Sequence, residues 1–225
     1  MCSNVFNEEC RGFTQCGVSA MSAVTGRSDA AVGNLTGLID TVITPNGMYG
    51  EMVYMDNPNE FSPVSESAYC GAGNVHTILL HTSPSSNLLS IFPAVPSNWQ
   101  DVGFHQLRAG GGLLVSANRT GGVTKFVRLF SATGGALKLR VVDPVWESSI
   151  TPPSAIPSTV KVSAATGAGT ATGEWALTLG KNESVVLHIG TEAPELTIAP
   201  VAGNVSEYNW CELFRLCICV VACQP

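Results

Sequence analysis

Residues 112–142 read GLLVSANRTGGVTKFVRLFSATGGALKLRVV, three runs rich in Val, Leu and Phe, separated by Thr-Gly-Gly turns. Each run is short, and the glycine pairs accept the positive φ angles that tight hairpins require. The spacing predicts strands over residues 112–118, 123–130 and 136–142. Within residues 123–130 both alternating sets contain apolar side chains, so neither face is purely polar. Working outward, the same reading predicts strands over 88–92 upstream and over 159–164, 174–179 and 184–189 downstream. A Pro-rich connector, TPPSAIPS at 151–158, lies between the two groups. Short strands at this interval predict an antiparallel β-sandwich over residues 86–200. Residues 201–225 are left unassigned, since their Cys-rich end, YNWCELFRLCICVVACQP, follows no period seen elsewhere.

Ahead of residue 85 the apolar period changes from 2 to 3.6. Val18, Met21, Ala23 and Val24 mark one helix, and Val32, Leu35, Leu38, Ile39 and Val42 mark a second. Ser28 is the expected N-cap of the second helix, Asp29 its first-turn acid, and Thr44-Pro45 its stop. A third helix is expected over residues 65–81, with Val75, Ile78 and Leu79 on one face. A polar loop over 44–66 joins the last two, and loops of that length in compact domains are often functional. Three helices do not easily close a domain, because each needs a partner for its apolar stripe. The segment 1–85 therefore reads as the end of a larger helical body, and the class as α+β.

Charge narrows the function. Only 12% of the 225 residues are charged, about half the roughly 25% usual in soluble domains, and the net charge is −6. With no basic cluster to meet a phosphate backbone, nucleic acid is not an expected partner. The most apolar run, LCICVVAC at 216–223, is too short to span a bilayer, so no membrane partner is expected. Glu8 and Glu9 stand where a secretory leader needs basic and then apolar residues. Sequons at Asn34, Asn118, Asn182 and Asn204 point the other way, toward a secreted glycoprotein. The compartment stays open between the two.

The 8 cysteines crowd toward the two ends of the chain, unlike a disulfide framework that staples a whole body. Cys217, Cys219 and Cys223 lack the paired spacing of zinc sites, and buried or unpaired thiols are the expectation. Neither a metal nor a cofactor is expected. His76 and His81 are wrongly spaced for one helix face, and His105 and His188, in expected strands, are read as packing residues.

Residues 79–141 carry a resemblance. Leu79 and Leu80, then Phe92, Pro93, Ala94, Val95 and Pro96, then Trp99, Asp101, Leu107, Arg108, Ala109 and Gly112 follow a family order. The order resembles the junction between catalytic barrel and C-terminal β-sandwich in glycoside hydrolase family 95, the α-L-fucosidase and α-L-galactosidase group. GEWALTLGKNESVVLHIG, residues 173–190, is similar to the closing strands of that sandwich. The resemblance covers roughly residues 30–190, most closely in the middle. It implies that residues 1–85 are the terminal helices of an incomplete (α/α)6 barrel, and that the lineage is an inverting exo-glycosidase acting on α-L-fucosyl or related terminal sugars. In such chemistry one carboxylic acid protonates the leaving oxygen while a base activates water on the opposite face of the sugar.

Counting back from Leu79-Leu80, the resemblance puts Glu66 on a catalytic carboxylate position. The commoner family pattern there is Asp followed by Gly-Asn-Phe-Gly, whereas Glu66 is followed by Ser-Ala-Tyr-Cys. Ala68, Gly71, Ala72 and Gly73 would leave room for a sugar ring close to the backbone. The other reading of Glu66 is a first-turn acid complementing the helix dipole. Asn46, Tyr49 and Glu51 are candidate substrate-binding residues, or else members of a solvated loop. Trp99 is read as covering one end of the sandwich, and Asp101 as a turn cap. On this reading carbohydrate is the partner, the chain alone is inactive, and exposed helical faces promote association. The alternative is a non-catalytic β-sandwich module binding carbohydrate or protein, which calls for aromatic rings on a flat sheet face.

Overall fold

In the computed structural model, which describes residues 12–42, 65–166 and 173–198, the chain is mixed α+β and divides into two compact units. The first holds helices α1 (Gly12–Val24), α2 (Ser28–Val42) and α3 (Ser65–Leu79), together with Pro93–Pro96. A Schellman motif ends α1: Gly26 takes φ +72°, its N–H donates to the Ala23 carbonyl, and the Arg27 N–H donates to that of Ser22. The Arg27 carbonyl then accepts from Ala31, so Ser28 is the first helical residue and not the cap the sequence suggested. Asp29 does occupy the first turn of α2.

The three helices pack pairwise on one another, while Met21, Val24 and Ile39 of α1 and α2 stay exposed. Their common core is made of small residues with two leucines and an isoleucine. Cys16, Ala23, Ala31, Leu38, Ile78 and Leu79 are buried to 1% exposure or less. Ser19 Oγ donates to the Ala31 carbonyl at 2.7 Å, tying α1 to α2. Within the same unit the Ala94 N–H donates to the Ile78 carbonyl at 3.2 Å.

The second unit begins at Leu80, so the third helix stops two residues before the expected His81. Its strands are β1 (Leu80–Ser83), β2 (Leu88–Ile91), β3 (Val102–Ala109), β4 (Leu113–Thr120), β5 (Val123–Ser131), β6 (Gly135–Val141), β7 (Ser154–Ile156), β8 (Val162–Ala164), β9 (Glu174–Leu179) and β10 (Glu183–His188), with a short helix α4 (Pro144–Ser148) after β6. They form two five-stranded sheets, in the orders β1-β2-β6-β9-β8 and β3-β4-β5-β10-β7. One pairing departs from the antiparallel expectation: β2 and β6 run parallel, with Leu89 opposite Leu139. Alternate residues of each sheet are buried, including Ile91, Leu139, Val141 and Leu179 in one and Val115, Val127, Leu129 and Leu187 in the other. Phe92 and Phe104, one from each side, meet edge to face with centroids 5.5 Å apart.

Three features that the sequence reading did not delimit have local causes. A β-bulge at 105–106 breaks the alternation of β3. Strand β7 hides in the Pro-rich connector, because an edge strand tolerates Pro153 before it and Pro157 after it. Helix α4 is one turn, begun by Asp143 and Pro144, a strong capping pair on a short segment.

That short helix fastens the sheets. The two-residue turn Gly121-Gly122 makes Thr120 and Val123 the hydrogen-bonded pair of the hairpin. The next pair, Arg119 and Thr124, then directs the Thr124 N–H and C=O away from β4. Strand β10, on that side, pairs only as far as Val127. Two side chains from beyond β6 fill the gap: Asp143 Oδ2 accepts the Thr124 N–H at 2.6 Å, and Trp146 Nε1 donates to its carbonyl at 2.9 Å. Asp143 Oδ1 meanwhile accepts from the Val145 N–H at 2.8 Å. Both residues are buried, Asp143 at 1% and Trp146 at 0% exposure. Replacing Asp143 by Ala removes a cap and strands a buried N–H, an expected cost of about 2–4 kcal/mol. Trp146→Phe is expected to cost about 1–3 kcal/mol through the orphaned carbonyl. Urea unfolding followed by circular dichroism in the β-sheet band checks both, and midpoints equal to wild type would refute the role of this clamp.

Candidate functional site

Glu66 is the second residue of α3, and the position of its side chain lies outside the described residues. Asn46, Tyr49 and Glu51 also lie outside them. What is described is the helix that carries Glu66. A disulfide joins Cys16 of α1 to Cys70 of α3, a pairing that the sequence reading left open. Asn74 Nδ2, one turn further along α3, donates to the Cys16 carbonyl at 2.8 Å, so two adjacent turns of α3 are anchored to the same residue of α1. Gly71 does not open space for a ligand. A Cβ there would stand 3.1 Å from Leu38 Cδ2, so this glycine serves the close approach of α2 and α3. At Gly73 a Cβ would meet nothing within 4 Å, and Ala72 and Gly73 are exposed. Tyr69 is 77% exposed, one turn after Glu66.

Two concave surfaces among the described residues of the strand unit were not singled out from the sequence. One is an open groove of about 660 Å³ on the β6-β9-β8 face, lined by Lys138, Lys161, Thr159, Ser163 and Thr178. The other is a depression of about 290 Å³ on the β3-β4-β5-β10 face, lined by His105, Gln106, Leu114, Ser116, Arg128, Phe130 and Ser184. His105, read as a packing residue, is in fact exposed; His188 is buried, as read. The signal available in the sequence was the break in alternation at Phe104-His105-Gln106, which a bulge produces.

The remaining candidates separate cleanly. Asp101 Oδ1 accepts the Gly121 N–H at 2.8 Å, closing the β4–β5 turn from 20 residues away, so its turn-capping role holds. Trp175, at 2% exposure, is core. Among the sequons, Asn182 stands exposed in the β9–β10 turn, whereas the Asn34 side chain donates to the Ala30 carbonyl within α2. Asn118 lies within β4, and Asn204 lies outside the described residues. Among the described residues no group of three or more His, Cys, Asp or Glu is placed to hold a metal ion, and no helix is long and apolar enough to cross a membrane.

Compared with known proteins, the chain matches no family profile, and no curated protein sequence matches it.

The disulfide closes a segment with a sequence separation of 54, long enough for a chain-entropy contribution of about 4 kcal/mol. Cys16→Ala with Cys70→Ala is expected to lower the stability of the helical unit by about that amount and to speed exchange of the α1 and α3 amides. Unchanged exchange in both helices would show that the bond contributes nothing.

Proposed function

We propose that this chain is the C-terminal part of an inverting exo-glycosidase of the family-95 type, with α-L-fucosyl or a related terminal sugar as its substrate class, and that it is inactive by itself. The observation that supports this most is where several of the residues carrying the resemblance fall: they stand at element ends and turns, each with its own physical demand. Leu79 and Leu80, at 0% and 1% exposure, sit where helix passes into strand. Phe92 takes φ +55° at full burial as the chain leaves β2. Pro93–Pro96 belongs to the helical unit, Asp101 closes a turn, and Gly112 takes φ +71° before β4. Such positions admit few residue types, which is how a junction motif acquires its pattern.

The helical unit adds support. Met21, Val24 and Ile39 are 61%, 51% and 45% exposed, and an unfinished barrel would cover such side chains with further helices. On this reading the helices are the last of an (α/α)6 barrel and the two sheets are its β-sandwich. Glu66 is then one carboxyl group of the pair, with Asn46, Tyr49 and Glu51 facing the sugar, and the partner base comes from helices outside this sequence. The binding-module alternative finds less support, since among the described strands the aromatic residues Phe104, Phe126 and Trp175 are buried at 3%, 1% and 2% exposure, which leaves the half-buried Phe130 and no flat row of rings.

The 225-residue chain is expected to leave an aryl α-L-fucoside intact. A longer protein read from the coding DNA upstream of Met1, if that frame encodes further barrel helices, is expected to hydrolyse it with inversion. In that protein Glu66→Gln is expected to lower kcat by about 10²–10⁴ with little change in fold. Activity retained within a few-fold would remove Glu66 from the chemistry, and an upstream region without barrel helices would remove the enzyme reading.

A further inference from the structure

We infer that the outer face of the β3-β4-β5-β10 sheet carries a binding pocket for a single carboxylate-bearing sugar, with Arg128 meeting the carboxylate and Phe130 lying against the ring. The placement follows from register. Ser116 is directly opposite Arg128, Leu114 is opposite Phe130, and Phe130 is opposite Ser184. Directly opposed residues share a face, so these five side chains form two adjoining rows. The bulge in β3 completes the set. In a regular strand His105 and Gln106 would point to opposite faces, yet both line the same depression of about 290 Å³. Gln106 adopts φ +54°, an uncommon conformation for a residue other than glycine, and Ser116 Oγ holds it by accepting its N–H at 2.9 Å. The same hydroxyl lies 3.3 Å from His105 Nδ1, so the bulge, the imidazole and the serine are one connected group. Backbone strain held in place by hydrogen bonds beside a concavity is a recurrent feature of ligand sites.

The charge is equally specific. Among the described residues nothing hydrogen-bonds or ion-pairs with the Arg128 guanidinium, and no carboxylate lines the depression, in a chain of net charge −6. Glu183, beside Ser184 in β10, alternates to the other face and accepts the Gly180 N–H. Arg108, one row along opposite Leu114, has a contact of its own. One arginine with a planar fork of donors suits a single carboxylate better than a phosphate dianion. The rest of the lining divides into the half-buried Phe130 and Leu114, against which the C–H face of a pyranose can lie, and the Ser184 hydroxyl and Gln106 amide, which match ring hydroxyls. Size and boundary limit the occupant to one ring. The volume is at the bottom of the usual ligand range, and the sheet face beyond Asn118 is covered by Ile198, whose Cγ2 lies 2.9 Å from where a Cβ on Gly103 would stand.

This inference does not depend on the glycosidase reading, because it is tested by binding alone. The full chain is titrated with D-glucuronate, D-glucose, acetate and sulfate while amide chemical shifts are followed by NMR. Glucuronate is expected to shift the amides of residues 105–106, 116 and 128–130 saturably, with the other three probes at least about tenfold weaker. Arg128→Gln is expected to weaken glucuronate by about tenfold or more, and Phe130→Leu to weaken it while leaving acetate unchanged. Should Arg128→Gln fail to fold, Phe130→Leu carries the test. Absence of saturable shifts at these residues would overturn the site. Equal affinity for glucuronate, acetate and sulfate, unmoved by Phe130→Leu, would overturn the sugar assignment and leave an adventitious ion only.

Discussion

The main-chain groups of Thr124 are the point on which the strand unit turns. Both face a side of β5 where β10 has already ended, so water or a side chain must take them. Asp143 and Trp146 do so from the end of β6, a strand of the other sheet. A carboxylate at 1% exposure is costly unless its lone pairs are filled, and here they accept from Thr124, Val145 and Trp146. The result is a neutral-donor cage around one buried charge, and it ties the two sheets at a place where hydrogen-bonded ladders cannot reach. Arg140 adds a half-exposed ion pair to Glu147 at 2.8 Å on the same helix, a minor contribution by comparison.

Much of this was legible in the sequence, for definite reasons. Strands with two burying neighbours, such as β5 and β9, announce themselves by apolar alternation and glycine turns. Helices α1 to α3 announce themselves by the 3.6 period. What escaped was local and low in contrast: a bulge that shifts the period of β3 by one residue, a three-residue edge strand between prolines, and a one-turn helix. The last had its signature in plain view, Asp143 followed by Pro144, but the clamp it builds depends on Thr124, 19 residues earlier, and no periodicity links the two. The expected run of helix to His81 failed because the apolar pair Leu79-Leu80 fits the start of a strand as well as the end of a helix.

The candidate site was legible to a different degree. Glu66 was reached through a resemblance and not through its own surroundings, and the helix that bears it is described while its side chain is not. The small residues around it turned out to serve two purposes: Gly71 makes room for Leu38, whereas Ala72 and Gly73 remain open. The Cys16–Cys70 pairing had no sequence signal at all, since 54 residues and a loop separate two cysteines on different helices. The arginine pocket was invisible for a similar reason. Its residues come from four strands, and only register brings them to one face.

The strand unit depends on the Thr124 clamp, and hydrogen exchange at that single amide tests the dependence most directly. If Asp143 holds the Thr124 N–H in a buried, fully partnered cage, that amide exchanges only when the whole unit opens, at the same slow rate as the Val127 amide between β4 and β10. Exchange of Thr124 as fast as that of Asn182 in its exposed turn would contradict it.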